Sequence, residues 1–194
     1  MTESKDWTRL LARVRACKAC ELPLGPRPIL SASPTARLLI TSQAPGRRAH
    51  EAGRTFADAS GDRLRDWLGL PPELFYDSTR VAIIPMGMCY PGTQEGGGDL
   101  LPEARCSETW HGPLLSRLSQ VRLTLLVGRL AQVHYLPDPR GSMSEAVAYW
   151  RDYLPTHLPL PHPSWRTLGW ARRNPWFEAE LLPELRVRIA EVLK

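Results

Sequence analysis

The stretch Arg37-Leu-Leu-Ile-Thr-Ser-Gln-Ala-Pro-Gly46 decides how the rest of the chain is read. Its first half is a short apolar run, the pattern of a strand buried on both faces. Its second half closes on Ala44-Pro45-Gly46, where proline and glycine stop the strand in a turn. Two more runs of this kind follow, Arg80–Ile84 and Leu123–Val127, the latter ended by Gly128. A last short strand is expected through Leu158 and Leu160, leading into the loop His162-Pro163-Ser164.

Helical patterns fill the intervals. Trp7, Leu10, Leu11 and Val14 recur at helical spacing, which predicts a helix from Asp6 to about Ala19. Ser60 or Asp62 is the expected cap of a helix through Leu70 that turns Leu64, Trp67 and Leu68 inward. Pro102 is expected at the first turn of a helix through about Ser119, and another helix follows Gly128. Ser142–Tyr153 reads as a helix capped by Ser142 or Ser144, and Pro175–Lys194 as an amphipathic one. Strands alternating with helices predict one α/β domain over residues 1–194. Its form would be a three-layer sandwich, with a central, mostly parallel four-stranded sheet and helices on both faces. Such sheets bind ligands beyond the carboxyl ends of their strands, so the loops after the first, second and last strands are the places to search.

Composition narrows the class. The 194 residues are 43% hydrophobic and 23% charged, ordinary values for a globular domain. No apolar run approaches the ~20 residues that span a bilayer, and the N-terminal stretch lacks the continuous apolar core of a secretory signal. A cytoplasmic protein with no membrane partner is expected. The net charge of +5 makes a polyanion a reasonable partner. Arg166, Arg172 and Arg173 interleave with Trp165, Trp170 and Trp176, a mixture that can reach phosphates and stack on bases. A solvated helix face over a buried aromatic stripe reads the same residues more plainly.

All four cysteines form two pairs, Cys17-x2-Cys20 and Cys89-x16-Cys106. Two intervening residues let both thiolates turn onto one metal centre. Zinc and an iron–sulfur cluster both accept four thiolates, and spacing does not separate them. A redox-active pair is less expected, because Cys17 and Cys20 follow a helix instead of opening one. Buried thiols are the remaining reading.

Taken together and in order, these segments resemble the iron–sulfur (family 4) uracil-DNA glycosylases, within the uracil-DNA glycosylase superfamily. The resemblance runs from Cys17-Lys-Ala-Cys20-Glu-Leu through the strand into Ala44-Pro45-Gly46, where that family has Gly-Glu-Ala-Pro-Gly. It continues through Gly53-Arg54-Thr55-Phe56 and Ser60-Gly61, then Cys89 and Cys106, then His162-Pro163-Ser164. What it implies is a monomeric DNA glycosylase of base excision repair, hydrolysing the bond to uracil or another deaminated base flipped out of DNA. It further implies a [4Fe–4S] cluster on Cys17, Cys20, Cys89 and Cys106, with zinc the less expected occupant. Phe56 would stack on the base and His162 would donate to its carbonyl. Gln43, Ala44 and the amides through Gly46 would bind the base or the attacking water. Ser164, Trp165 and Arg166, with Leu168, would meet the DNA at the minor groove.

Two positions depart from the family. Gln43 stands where the family has Glu, and Ala44 is no carboxylate either. A glutamine can orient water but accepts no proton as a carboxylate does. Pro85 stands where the family has a base-reading Asn four residues before the third cysteine. Asp58 or His50 could replace the missing carboxylate. The competing readings are a weak or inactive glycosylase-fold module that binds damaged DNA, and a zinc-bound α/β protein with unrelated small-molecule chemistry.

Overall fold

The computed structural model describes residues 2–194, with side chains from residue 5 onward. Four strands, β1 (Leu38–Thr41), β2 (Val81–Ile83), β3 (Leu123–Val127) and β4 (His157–Leu160), form one parallel sheet in the order β2-β1-β3-β4. Leu38 pairs with Val81 on one side and Leu123 on the other, and Leu125 pairs with Leu158. The strand order reverses direction between β1 and β3, which makes the carboxyl edge there a natural crevice. The expected sandwich is present, and its sheet is parallel throughout.

Side-chain alternation explains both covered faces. Leu38, Ile40, Val81, Ile83, Leu123, Leu125, Val127, Leu158 and Leu160 enter one core. It is closed by α3 (Ala59–Leu68), through Leu64 and Leu68, and by α9 (Leu182–Val192), through Leu185 and Ile189. The intervening Leu39, Ala82 and Ile84 enter a second core, under α1 (Thr2–Arg15) and α5 (Ala104–Leu115). Trp7, Leu10 and Val14 of α1 meet Trp110 and Leu114 of α5 there. Because successive strand residues point to opposite faces, one short apolar run serves two cores.

The element ends differ from the sequence expectations for local reasons. α1 stops at Arg15, and a tight Cys17 N–H to Val14 carbonyl bond turns the chain before the cysteines. Asp58, rather than Ser60 or Asp62, caps α3 by accepting from the Gly61 amide at 2.9 Å. Pro102 lies outside α5, whose N-cap is Glu103. Ser142 caps α7 (Met143–Ala148), which breaks at Tyr149 into a 3-10 turn over Trp150–Tyr153. The tail is not one uniform helix. Pro183 has no amide hydrogen to donate, and the chain passes through a wide π-type turn, Phe177–Leu181, before α9. Three short helices were not expected: α2 (Arg47–Ala52), α4 (Pro72–Phe75) and α8 (Thr167–Arg173). α6 (Arg129–Tyr135) follows Gly128 as expected.

Candidate functional site

At the carboxyl edge, the loops after β1, β2 and β4 enclose a polar cavity of about 80 Å³. It is lined by Ser42, Ala44, Pro45 and Gly46 after β1, Pro85 after β2, and His162 after β4. Thr55, Phe56, Asp58 and Ser60 close one wall, and Asp99 reaches in from the Gly-rich loop. The Met86 amide donates to the Ser42 carbonyl at 2.7 Å and the Gly87 amide to the Gln43 carbonyl at 2.9 Å. Those two bonds lock the first and second loops together.

Phe56 is buried and holds a left-handed backbone, φ 55°. That conformation strains a residue with a side chain, typically by ~1–3 kcal/mol. Two things hold it. The Tyr76 hydroxyl donates to the Phe56 carbonyl at 2.8 Å, and Gly61 leaves room for that carbonyl. A Cβ on Gly61 would lie 1.8 Å from the Phe56 oxygen, so no other residue fits. The ring meets Phe75 edge-on with centroids 6.1 Å apart.

His162 sits in a turn pinned from several sides. The Ser164 amide and the Thr167 hydroxyl both donate to the His162 carbonyl, and Arg63 donates to the Pro163 carbonyl at 3.1 Å. The chain after β3 turns at Gly128, φ 88°, beside the His162 side chain. Burial lowers the His162 pKa below the ordinary imidazole value, with Asp58 opposing the shift. A neutral ring is therefore favoured near neutral pH. Pro85 is also fixed. Buried His111 donates from Nε2 to the Pro85 carbonyl at 2.9 Å, which leaves Nδ1 to accept from the Tyr135 hydroxyl.

The remaining expected residues fall in three places. Gln43 is not in the cavity wall; its amide donates to the Leu100 carbonyl at 3.3 Å. His50 is buried, with its ring 5.9 Å from that of Tyr90, and also stays out of the wall. Trp165 is 72% exposed beside the cavity residue His162, with the Arg166 guanidinium over its ring at 5.5 Å. Leu168 is exposed as well, and Ser164 is partly exposed. Trp170, by contrast, is a core residue whose indole donates to Ser144, and Trp176 packs edge-on against it.

Asp99 was not singled out in the sequence. It ends the run Gly96-Gly97-Gly98, all with positive φ, on a small hairpin closed by Leu100 N–H to Gly92 carbonyl and Gln94 N–H to Gly98 carbonyl bonds. The residue as a whole is exposed. Its Oδ2 nevertheless lies 3.2 Å from the position of a Cβ on Gly46, and Asp58 Oδ2 lies 3.8 Å from the same point. Partial burial first, then the Asp58 carboxylate, raises the Asp99 pKa. The sequence signal was available: a carboxylate following three glycines can be carried far from its neighbours.

All four cysteines line a second, apolar cavity of about 130 Å³, walled by Val14, Leu22, Pro26, Pro28, Met88 and Trp110 among others. Among the described residues no three His, Cys, Asp or Glu side chains form a group that could grip a single metal ion. Burial is the first cause that raises the pKa of Cys20 and Cys106 and pushes Cys89 up to about 11. Thiolates in such surroundings need compensating positive charge. Among the described residues, no helix is long and apolar enough to cross a membrane.

A sequence model described as the Uracil DNA glycosylase superfamily matches residues 31–186, and the chain belongs to that superfamily. The matched region holds the whole sheet and the polar cavity; Cys17 and Cys20 lie outside it.

Proposed function

From this membership we propose that the protein is a DNA glycosylase that hydrolyses the bond between deoxyribose and uracil or another deaminated base flipped out of DNA. The observation that carries the reading is the joining of Phe56, His162 and the chain at Ser42–Gly46 around one cavity at the carboxyl edge. Extruding a base costs a few kcal/mol, and the Phe56 ring offers a stacking surface for it. The strain held at Phe56 suits a preset surface, since a relaxed backbone would turn the ring elsewhere. As the bond breaks, negative charge gathers on the departing base. A neutral His162 donates its N–H to the base carbonyl, where a fixed donor out of bulk water is most effective. Gly46 leaves room beside the cavity for the Asp99 carboxylate, since a Cβ there would lie 3.2 Å from its Oδ2. Trp165 and Arg166 meet the duplex, the indole filling the gap left by the base and the guanidinium reaching a phosphate.

We further propose that Cys17, Cys20, Cys89 and Cys106 hold a [4Fe–4S] cluster. Four thiols around one cavity fit it, because a cluster takes each thiolate on a different iron. A zinc ion would draw all four sulfurs to ~2.3 Å from one point. When bound, the cluster supplies a crosslink between the segment after α1 and the segment from β2 to α5. Iron and acid-labile sulfide in the anaerobically purified protein test it; stoichiometric zinc would replace it.

Base release from duplex and single-stranded oligonucleotides carrying uracil, hypoxanthine or xanthine tests the activity. Abasic sites on at least one substrate are expected. Tight binding with no abasic site on any of them would leave a damage-binding module instead.

A further inference from the structure

The family carboxylate is missing at Gln43, and the cavity has two others. Asp58 has one oxygen held by structure: its Oδ1 caps α3 through the Gly61 amide. Asp99 is free of such duty, for among the described residues no donor or cation is paired with its carboxylate. It lines the same cavity as Phe56, with its Oδ2 3.2 Å from the position of a Cβ on Gly46. Its exposure is what a group acting on DNA needs before the duplex covers it.

We propose that Asp99 is the carboxylate of the reaction, moved from the loop after β1 to the hairpin of residues 92–100, and that Gln43 holds that hairpin in place. This rests on the glycosylase reading. A water attacks C1′ of the sugar; the bond from C1′ to the base nitrogen breaks, and its electron pair leaves with the base. The water's proton passes to Asp99, whose negative charge also faces the positive charge developing on the sugar. The product is an abasic sugar and a base anion that takes its proton from solvent. Gln43 contributes differently. Its amide can donate to the Leu100 carbonyl, next to Asp99, and a Glu at this position could not. The substitution that removes the usual carboxylate thus supplies the donor that anchors its replacement. Arg166 borders the other side: its guanidinium lies 3.3 Å from the position of a Cβ on Gly98.

Asp99→Asn keeps shape and removes charge, and Glu95→Gln on the same hairpin serves as the control. Single-turnover base release should fall ~10²–10⁴-fold in Asp99→Asn and stay unchanged in Glu95→Gln. Binding is read beside it, on a duplex carrying a cationic pyrrolidine in place of the sugar and on one carrying the neutral tetrahydrofuran analogue. Wild type should prefer the cationic duplex, and Asp99→Asn should lose that preference while melting no lower than wild type. Full-rate release with the preference kept overturns the role of Asp99 and leaves the glycosylase reading intact. A wild type that releases no base yet prefers the cationic duplex through Asp99 sinks the hydrolase reading and keeps Asp99 at the sugar. If wild type neither releases base nor tells the two duplexes apart, both fall.

Discussion

The two cavities are built from adjoining pieces of chain and differ in nearly every other respect. One is walled by proline, leucine, methionine and tryptophan around four thiols; the other gathers serine, threonine, histidine and two carboxylates. The segment after β2 serves both, with Pro85 in the polar wall and Gly87, Met88 and Cys89 in the apolar one. The hairpin bearing Asp99 lies in the loop between Cys89 and Cys106. A long, Gly-rich loop is costly to order. If the four cysteines share one centre, as proposed, clamping the two ends of the loop removes much of that freedom; the Gln43 bond fixes a point within it. On that proposal the apolar cavity is a foundation for the polar one and not a second place for chemistry.

Cys89→Ala should have the largest effect on both cavities. If the cysteines share one centre, the variant should lose iron and sulfide and melt lower by at least roughly 10 °C, at ~2–4 °C per kcal/mol for a chain of this size. It should also lose base release through the hairpin. Unchanged metal content and melting would remove Cys89 from the ligand set and separate the two cavities.

A change confined to the polar cavity should act on rate alone. His162→Ala is expected to lower base release ~10²–10³-fold, the usual cost of one donor to a developing anion, with iron content and melting retained. Full activity in that variant would show that the departing base is held elsewhere.

The effect of pH on stability is smaller and has a definite sign. Burial holds His111, His157 and His162 below the ordinary imidazole value. Above about pH 6.5 these rings are neutral in both folded and unfolded chains and contribute no slope. Below it the unfolded chain takes up protons that the folded chain refuses, so stability falls until the pH reaches the depressed folded values. Melting followed from pH 7.5 to about 5 should decline across that window, and less so in His111→Gln if its buried ring is a main contributor. A flat profile would mean these rings are better solvated than their packing implies.

The smallest effect is expected at Gln43. Gln43→Glu restores the family carboxylate but places it against the Leu100 carbonyl. A roughly tenfold loss of rate is expected, the ~1.4 kcal/mol of one lost hydrogen bond, with iron and sulfide content no different from wild type. A gain in rate instead would return the catalytic carboxylate to the loop after β1.

Much of this architecture was legible beforehand, and the misses share a cause. The strands were readable because a sheet covered on both faces demands near-continuous apolar runs, and Leu123–Val127 appears with the expected bounds. His162 was singled out because His162-Pro163-Ser164 after the last strand resembles the family motif, and it lines the polar cavity. Trp165 and Trp170 looked alike in the sequence, yet one is 72% exposed and the other is core, because only the packing of α8 distinguishes them. The uniform tail helix failed at Pro183, whose missing amide hydrogen was there to be read. His50 and Asp58 were candidates for the missing carboxylate; His50 turned away, and Asp58 reached the cavity as a helix cap.

Local order in the chain, then, determined the parallel sheet, the two cysteine pairs and the loops where chemistry had to be sought. Apolar periodicity and turn residues act over a few positions, and they are written directly in the sequence. Only the tertiary structure decided that Asp99 meets Gly46 and that Gln43 points at Leu100. Three glycines leave a hairpin free to go almost anywhere, so its destination is set by contacts dozens of residues away.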